Sequence, residues 1–227
     1  MEGYYTDKLS AEKLKKCYEI APPRVQKYLN EELNYVLQKI NSGDNVIELG
    51  CGYGRVLPAL AQKAGKVIGI DTSLSSIEMG RKMLAGISNI LLAQMNAVQL
   101  GFEDDVFDVV VCVQNGISAF HVNQKDLIKE SIRVTKPEGI ALFSSYSEKF
   151  WEHRLKWFQL QSEAGLLGEI DYEKTGNGII VCKDGFTALT VSGEKFKELA
   201  SCFENIDVKV TEIDESSIFC IITYKQK

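Results

Sequence analysis

The sequence predicts an α/β protein built around a mostly parallel, doubly wound sheet, and three observations carry that expectation. Short, near-continuous apolar runs alternate with segments of helical periodicity across residues 45–146, the pattern of βα units whose strands are covered on both faces. A glycine-rich turn, Gly50-Cys51-Gly52-Tyr53-Gly54, follows the first of those runs directly. Strong turn chemistry brackets the alternation, with Asn41-Ser42-Gly43-Asp44 ahead of the first strand and Lys136-Pro137-Glu138-Gly139 ahead of the fifth.

Residues 10–40 come first and read as helix, with Leu14, Cys17 and Tyr18, then Val25, Tyr28, Leu29, Leu33, Val36, Leu37 and Ile40 at three- and four-residue spacing. Pro22-Pro23 divides them in two, because a proline can open a helix and breaks one that it interrupts. Strands are expected at 45–49, 66–71, 90–95, 106–113 and 139–146, and helices at 55–64, 73–85 and 124–136. Beyond Tyr146 the large apolar residues Phe150, Trp151, Leu155, Trp157, Phe158 and Leu160 suggest an additional helix. Two strand-like runs, 179–182 and 186–191, flank the hairpin signal Lys183-Asp184-Gly185. Ser192 is placed to cap a helix through Cys202, and strands at 206–213 and 217–225 should pair antiparallel across the tight Asp214-Glu215 connection.

The 227 residues suit one domain with a sizeable core, and 45% hydrophobic with 25% charged residues is ordinary globular composition. We expect a single domain, 1–227, in which 1–41 form an N-terminal helical lid and 42–147 a ligand-binding core. Residues 148–191 would then be a substrate cap, and 192–227 the final helix and strand hairpin. A formal charge of -5 argues against a nucleic-acid partner. No signal-peptide pattern and no apolar run long enough to span a bilayer is evident, so the expected location is cytoplasmic, without a membrane partner. Six scattered cysteines (Cys17, Cys51, Cys112, Cys182, Cys202, Cys220) form no Cys-x-x-Cys pair, which argues against a metal site. Cys112, inside Val109-Val110-Val111-Cys112-Val113, reads as a small buried hydrophobe. Oligomeric state is not legible.

The informative stretch is Val46-Ile47-Glu48-Leu49-Gly50-Cys51-Gly52-Tyr53-Gly54-Arg55, a strand running into a glycine turn and then a helix. Glycines permit positive φ and close approach of a ligand to the backbone. The spacing is Gly-x-Gly-x-Gly, with Arg55 where the dinucleotide fingerprint wants its third glycine, so a pyrophosphate ligand is disfavoured. Asp71, closing Val67-Ile68-Gly69-Ile70-Asp71, puts a carboxylate at the end of the second strand, where it can accept from both hydroxyls of a ribose.

These residues resemble the class I, Rossmann-like, S-adenosylmethionine-dependent methyltransferases. Glu48-Leu49-Gly50-Cys51-Gly52-Tyr53-Gly54 is similar to their first motif, Asp71 to their ribose-binding acid, and Phe107-Asp108-Val109-Val110-Val111 to their fourth-strand motif. The turn Lys136-Pro137-Glu138-Gly139 and the final strand pair extend the likeness over residues 43–146 and 192–225. The resemblance implies a seven-stranded, mostly parallel sheet with an antiparallel last strand, an N-terminal helical cap, and a helix-plus-hairpin insertion after strand five. It implies S-adenosyl-L-methionine as cofactor, S-adenosyl-L-homocysteine as product, and methyl transfer to a small-molecule acceptor by in-line displacement.

By the same resemblance Gly50, Cys51, Gly52 and Gly54, with Arg55, would cradle the amino-acid end of the cofactor, and Glu48 would orient its ammonium. Asp71, with Thr72 beside it, would hold the ribose. Asn96-Ala97 stands where the family commonly has an aspartate and a small residue near the adenine, and asparagine adds a donor there. Gln114 and Asn115, in Gln114-Asn115-Gly116, lie where the family contacts the methionine part or the acceptor.

Catalytic residues are not identified. His121 is the one candidate general base, although a lone histidine is more often packing or surface chemistry. Tyr4, Tyr5, Tyr18 and Arg24 are lid candidates, with Arg24 pairing a ligand carboxylate, against the plainer reading of an amphipathic helix with solvated charge. Tyr146, Trp151, Trp157 and Phe158 are candidates for an acceptor pocket, while an aromatic helix face is ordinarily core. Three other functions stay open: an aminopropyl or similar nucleoside-dependent transferase, a nicotinamide oxidoreductase, and a non-catalytic cofactor-binding regulatory module.

Overall fold

The computed structural model describes Tyr4 and residues 8–225. From Ala11 onward come α1 (Ala11–Glu19) and α2 (Pro23–Leu37), divided at the proline pair as the sequence requires. The alternating part follows as β1 (Asn45–Leu49), α3 (Leu57–Lys63), β2 (Lys66–Asp71), α4 (Leu74–Met83), β3 (Ile90–Gln94) and β4 (Phe107–Cys112). A short α5 (Gly116–Ala119) precedes α6 (Gln124–Val134) and β5 (Thr135–Tyr146). A 3-10 turn (Glu148–Phe150) leads into α7 (Trp151–Glu163), then β6 (Ile179–Val181) and β7 (Thr187–Leu189). The chain finishes with α8 (Gly193–Ala200), β8 (Ile206–Ile213) and β9 (Ser217–Tyr224).

Seven strands form one sheet in the order β3-β2-β1-β4-β5-β9-β8. Strands β1 to β5 are parallel, and β9 runs antiparallel to both β5 and β8. This is the predicted doubly wound sheet with its reversed last strand. Alternate residues of each central strand feed opposite layers, as the two-residue period dictates. Ile47, Leu49, Val110 and Cys112 pack with Leu127, Ile128, Phe196 and Leu199 of α6 and α8. On the other face Val46, Val109 and Val111 pack with Val36, Leu57, Leu60 and Ile77 of α2, α3 and α4. A third cluster brings Cys17, Val25, Tyr28 and Leu29 of the N-terminal helices against Tyr146, Phe150, Trp157, Phe158, Ile180 and Phe186. Tyr146 is the last residue of β5, so this cluster roofs the carboxyl ends of the strands.

Three local expectations are corrected. The helix after the glycine turn begins at Leu57 and not at Arg55, because turn and bend conformations persist to Val56. Helix α6 ends at Val134, and Lys136 to Gly139 lie within β5 as a bulge that shifts its register between Phe107↔Thr135 and Val109↔Ile140. Glu138 takes φ +66 there, and Lys136 Nζ donates to both Asp108 oxygens at 2.9 and 2.8 Å, fixing the bulge to β4. The 73–85 helix is shorter, Leu74–Met83, with Ser73 Oγ accepting from Ser76 N at 3.2 Å. The caps and hairpins meet expectation: Ser192 Oγ accepts from Lys195 N at 3.2 Å, and β6 pairs antiparallel with β7.

Candidate functional site

The site grows from the turn after β1. Gly50 N and Cys51 N both donate to Ile70 O, at 2.8 and 2.9 Å, which ties the turn to the end of β2. Gly52 N donates to Asp71 Oδ2 at 2.9 Å, while Asp71 Oδ1 accepts from Ser73 N at 2.8 Å. Asp71 therefore braces the glycine turn with one oxygen and starts the next helix with the other. Glycine is required at 50: its φ is +73, and a Cβ there would lie 2.3 Å from Cε1 of Phe120. At Gly52 φ is +56, which aims its amide at Asp71.

Beside this turn lies a cavity of about 270 Å³. Glu48, Arg55 and Asp71 line it and are the charged side chains among its described lining residues. Glu48 is 6% exposed and its Oε2 has no hydrogen-bond partner. Burial pushes its carboxyl up to about 8, opposed by the Arg55 charge and reinforced by Asp71. Burial also raises Asp71, with the amides of Ser73, Gly52 and Thr72 acting the other way. Arg55 Nη2 is buried without a partner, and the guanidinium lies over the Tyr18 ring, 4.6 Å from its centroid. A buried acceptor and a buried cationic donor left unsatisfied in one cavity are costly for the empty protein. They suit a ligand that carries both an ammonium and a carboxylate.

The far edge is formed by Met95, Asn96 and Ala97 after β3. Asn96 Oδ1 accepts from Val98 N at 3.2 Å, an Asx turn within this loop. A compound bearing an amino acid, a ribose and a flat base thus meets matching chemistry in sequence: the Glu48/Arg55 pair, the Asp71 carboxylate, then the β3 loop. The residues present fit S-adenosyl-L-methionine by these features.

A roof closes the other side. Leu14, Cys17 and Tyr18 reach in from α1, and Trp157, Phe158 and Gln161 from α7. Trp157 Nε1 donates to Cys17 O at 2.9 Å, joining the two helices. Tyr18 Oη donates to Gln114 Oε1 at 2.8 Å, and burial raises the Tyr18 phenol well above its usual range. Gln114 N donates to Ser144 Oγ at 2.8 Å and to Glu32 Oε2 at 3.1 Å, so a buried carboxylate on α2 shapes the end of β4.

The structure brings Glu48, Gly50, Cys51, Gly52, Arg55, Asp71, Thr72, Asn96, Ala97, Gln114, Tyr18, Tyr146 and His121 to this cavity. Four expected residues lie elsewhere. Gly54 turns under α4, where a Cβ would lie 2.7 Å from Leu84 Cδ1. Asn115 is buried as a strut, its Nδ2 donating to Leu189 O and its Oδ1 accepting from Ser145 Oγ. Arg24 pairs with Asp214 in the β8–β9 turn, at 2.8 Å, and packs on Phe150, so it is not available to a ligand carboxylate. Trp151 packs in the roof cluster outside the cavity wall. Tyr5 lies outside the described residues. Tyr4 reaches the cavity, its Oη donating to Asp184 Oδ2 at 2.6 Å.

Sequence reasoning missed Phe120, Val122 and Gln161 on the wall. The exposed His121 between Phe120 and Val122 has a positive φ of +51, and no local pattern announces this loop. Among the described residues no cluster suited to a metal ion occurs, no helix is long and apolar enough to cross a membrane, and all six cysteines are free.

A family described as "Methyltransferase domain" matches residues 46–139. Demethylmenaquinone methyltransferase of Clavibacter sepedonicus is 32% identical over 106 residues, which are 47% of this chain and 42% of that protein. The enzyme of the same name from Geobacillus stearothermophilus is 31% identical over 145 residues, 60% of this chain and 61% of that one. The chain thus spans less than two thirds of either relative. Among solved structures, a putative S-adenosyl-L-methionine-dependent methyltransferase from Methanococcus maripaludis superposes with a TM-score of 0.68 at 17% identity, covering 100% of this chain and 99% of that one. At that identity the likeness is one of fold.

Proposed function

We propose that this chain, whose residues 46–139 match a methyltransferase-domain family and whose fold is that of a putative S-adenosyl-L-methionine-dependent methyltransferase, is a class I, Rossmann-like methyltransferase that moves the methyl group of S-adenosyl-L-methionine onto a small-molecule acceptor. The observation that carries this reading is the pair of buried, unpartnered groups, Glu48 Oε2 and Arg55 Nη2, in the cavity that Asp71 also lines.

When bound, the cofactor supplies an electrophilic methyl group on a sulfonium. The protein's part is to bind, orient and exclude water. Arg55 takes the ligand carboxylate, Glu48 the ammonium, and Asp71 the ribose hydroxyls through lone pairs not used by the Gly52 and Ser73 amides. Alignment of two reactants can remove roughly 7 to 11 kcal/mol of barrier without any covalent enzyme intermediate. The roof of α1 and α7 keeps bulk water from the reacting centre. His121, on the wall near Phe120, is the group placed to accept a proton from a hydroxyl or amine acceptor.

Residues 148–191 act in this reading as the acceptor cap, because α7 within them supplies Trp157, Phe158 and Gln161, and the whole chain works as one domain. A formal charge of -5 favours a small acceptor over a nucleic acid, and the names of the two relatives point to a small ring-bearing molecule. Six unpaired cysteines suit the reducing cytoplasm. Calorimetric titration with S-adenosyl-L-homocysteine should show one tight site. Replacing Asp71 by Ala should weaken it by about 1.5 to 3 kcal/mol, the worth of a hydrogen bond to a charged acceptor. Unchanged affinity in the folded variant, or no binding by the parent protein, would overturn the reading.

A further inference from the structure

The two ends of the cavity differ in chemistry. Glu48, Arg55 and Asp71 all belong to the strand-end side already assigned to the cofactor. The rest of the described lining is rich in aromatic residues, Tyr18, Phe120, Tyr146, Trp157 and Phe158, with Gln114, Gln161 and His121 among its polar members.

The polar tips of its aromatic residues are engaged inside the protein. Trp157 Nε1 donates to Cys17 O, and Tyr18 Oη to Gln114 Oε1. Their flat faces are what a ligand meets. Aromatic faces can attract a cation, but two of these rings already hold one. The Arg55 guanidinium lies 4.6 Å from the Tyr18 centroid, and the Arg154 guanidinium 4.2 Å from the Tyr146 centroid. Arg154 is fixed there by Gly178 O at 3.0 Å, Ala188 O at 2.8 Å and Thr190 Oγ1 at 2.6 Å. A second positive charge would meet like charge behind each ring. An anion fares no better, because among the described lining residues there is no lysine and no Arg154. Burial holds the Tyr146 phenol at about 12, so it too adds no charge near neutrality.

Gln161 is buried on α7 while His121 is exposed at the cavity, and neither side chain makes a hydrogen bond among the described residues. Each can therefore meet a polar group on an otherwise apolar guest. Resting on the proposed methyl transfer, we infer that the acceptor is a neutral, flat, largely apolar ring compound bearing a hydrogen-bonding group that Gln161 and His121 recognise.

Three matched probes test this: 2-naphthol, 2-naphthoate and 2-naphthylmethylammonium, titrated calorimetrically at pH 7 with and without saturating S-adenosyl-L-homocysteine. The neutral naphthol should bind at least about tenfold more tightly than either charged analogue. Gln161→Leu and His121→Leu should each lower naphthol affinity several-fold and leave S-adenosyl-L-homocysteine affinity unchanged. Trp151→Phe, outside the wall, should change neither. Naphthol binding no tighter than the charged probes, or undiminished in both leucine variants, overturns the inference. Failure to bind S-adenosyl-L-homocysteine defeats the methyl-transfer reading instead, and the titrations run without it still decide the preference among probes.

Discussion

Glu48 shows how a single side chain can be prepared for a ligand. One of its oxygens is buried with no partner, and its carboxyl is pushed up to about 8 by desolvation. At pH 7 the free protein therefore holds that proton. A ligand ammonium beside it favours the ionised form, so binding must release the proton to solvent. Calorimetry of S-adenosyl-L-homocysteine binding in buffers of different ionisation enthalpy should show release of up to about one proton. Glu48→Gln should abolish it. A wild-type binding enthalpy that does not depend on buffer would mean that Glu48 does not meet the ammonium. Arg55 makes the complementary case: it is planar, stacked on Tyr18 and has an unpartnered Nη2. Arg55→Lys keeps the charge but loses the fork and the stacking, and should weaken the ligand by about tenfold.

Elements, unlike single residues, decide who meets the ligand. Helices α1 and α7 come from opposite parts of the chain and are joined by Trp157 Nε1 on Cys17 O. Tyr4 Oη and Lys8 Nζ both reach Asp184 in the β6–β7 turn, at 2.6 and 3.0 Å, so the hairpin and the N-terminal segment hold each other. Deleting Lys183 to Gly185 should loosen α7 and reduce acceptor use more than S-adenosyl-L-homocysteine affinity; equal losses of the two would show that the insertion serves the cofactor as well. This also explains what the sequence could reveal. Strands β1, β2 and β4 were legible because burial on both faces leaves an apolar run with nothing else to mean. Glu48 and Asp71 stood out as charges at the ends of such runs. The start of α3 was misjudged because Arg55 and Val56 suit a helix and only the turn's hydrogen bonds delay it to Leu57. The bulge at Lys136 to Gly139 depends on Asp108 across the sheet, and Phe120 matters only because it fills the space beneath Gly50. Local sequence leaves Arg24 open between a lid role and solvated charge, whereas its partner Asp214 is near the other end of the chain. The last three are contacts between distant segments, which no local period records.

At the scale of the whole molecule, the buried acids set how stability should vary with pH. Glu32 is 1% exposed; its Oε1 accepts from Ser217 Oγ at 2.8 Å and its Oε2 from Gln114 N, so it links α2 to β9 and to the end of β4. Burial pushes it to about 7 despite the hydrogen bonds from Ser144, Ser217 and Gln114. With Glu48 at about 8 and Asp71 also raised, the folded state keeps protons that the unfolded chain gives up near 4.5 for the glutamates and 3.8 for the aspartate. Stability then falls as pH rises from the unfolded value through the folded one. Paired carboxyls such as Glu212, lowered by its hydrogen bonds from Lys149 and Ser147, act the other way and lose their contribution only in acid. The ligand-free protein should therefore melt highest near about pH 5.5 and progressively lower toward about pH 8.5. Glu48→Gln and Glu32→Gln should each flatten that slope, since an amide has no proton to release. Saturating S-adenosyl-L-homocysteine should flatten it too, because an ammonium beside Glu48 stabilises the ionised carboxylate in the folded state. Thermal melts of the four samples across this range decide the matter: a ligand-free protein that gains stability up to pH 8.5 would show that Glu32 and Glu48 are ionised in the empty fold.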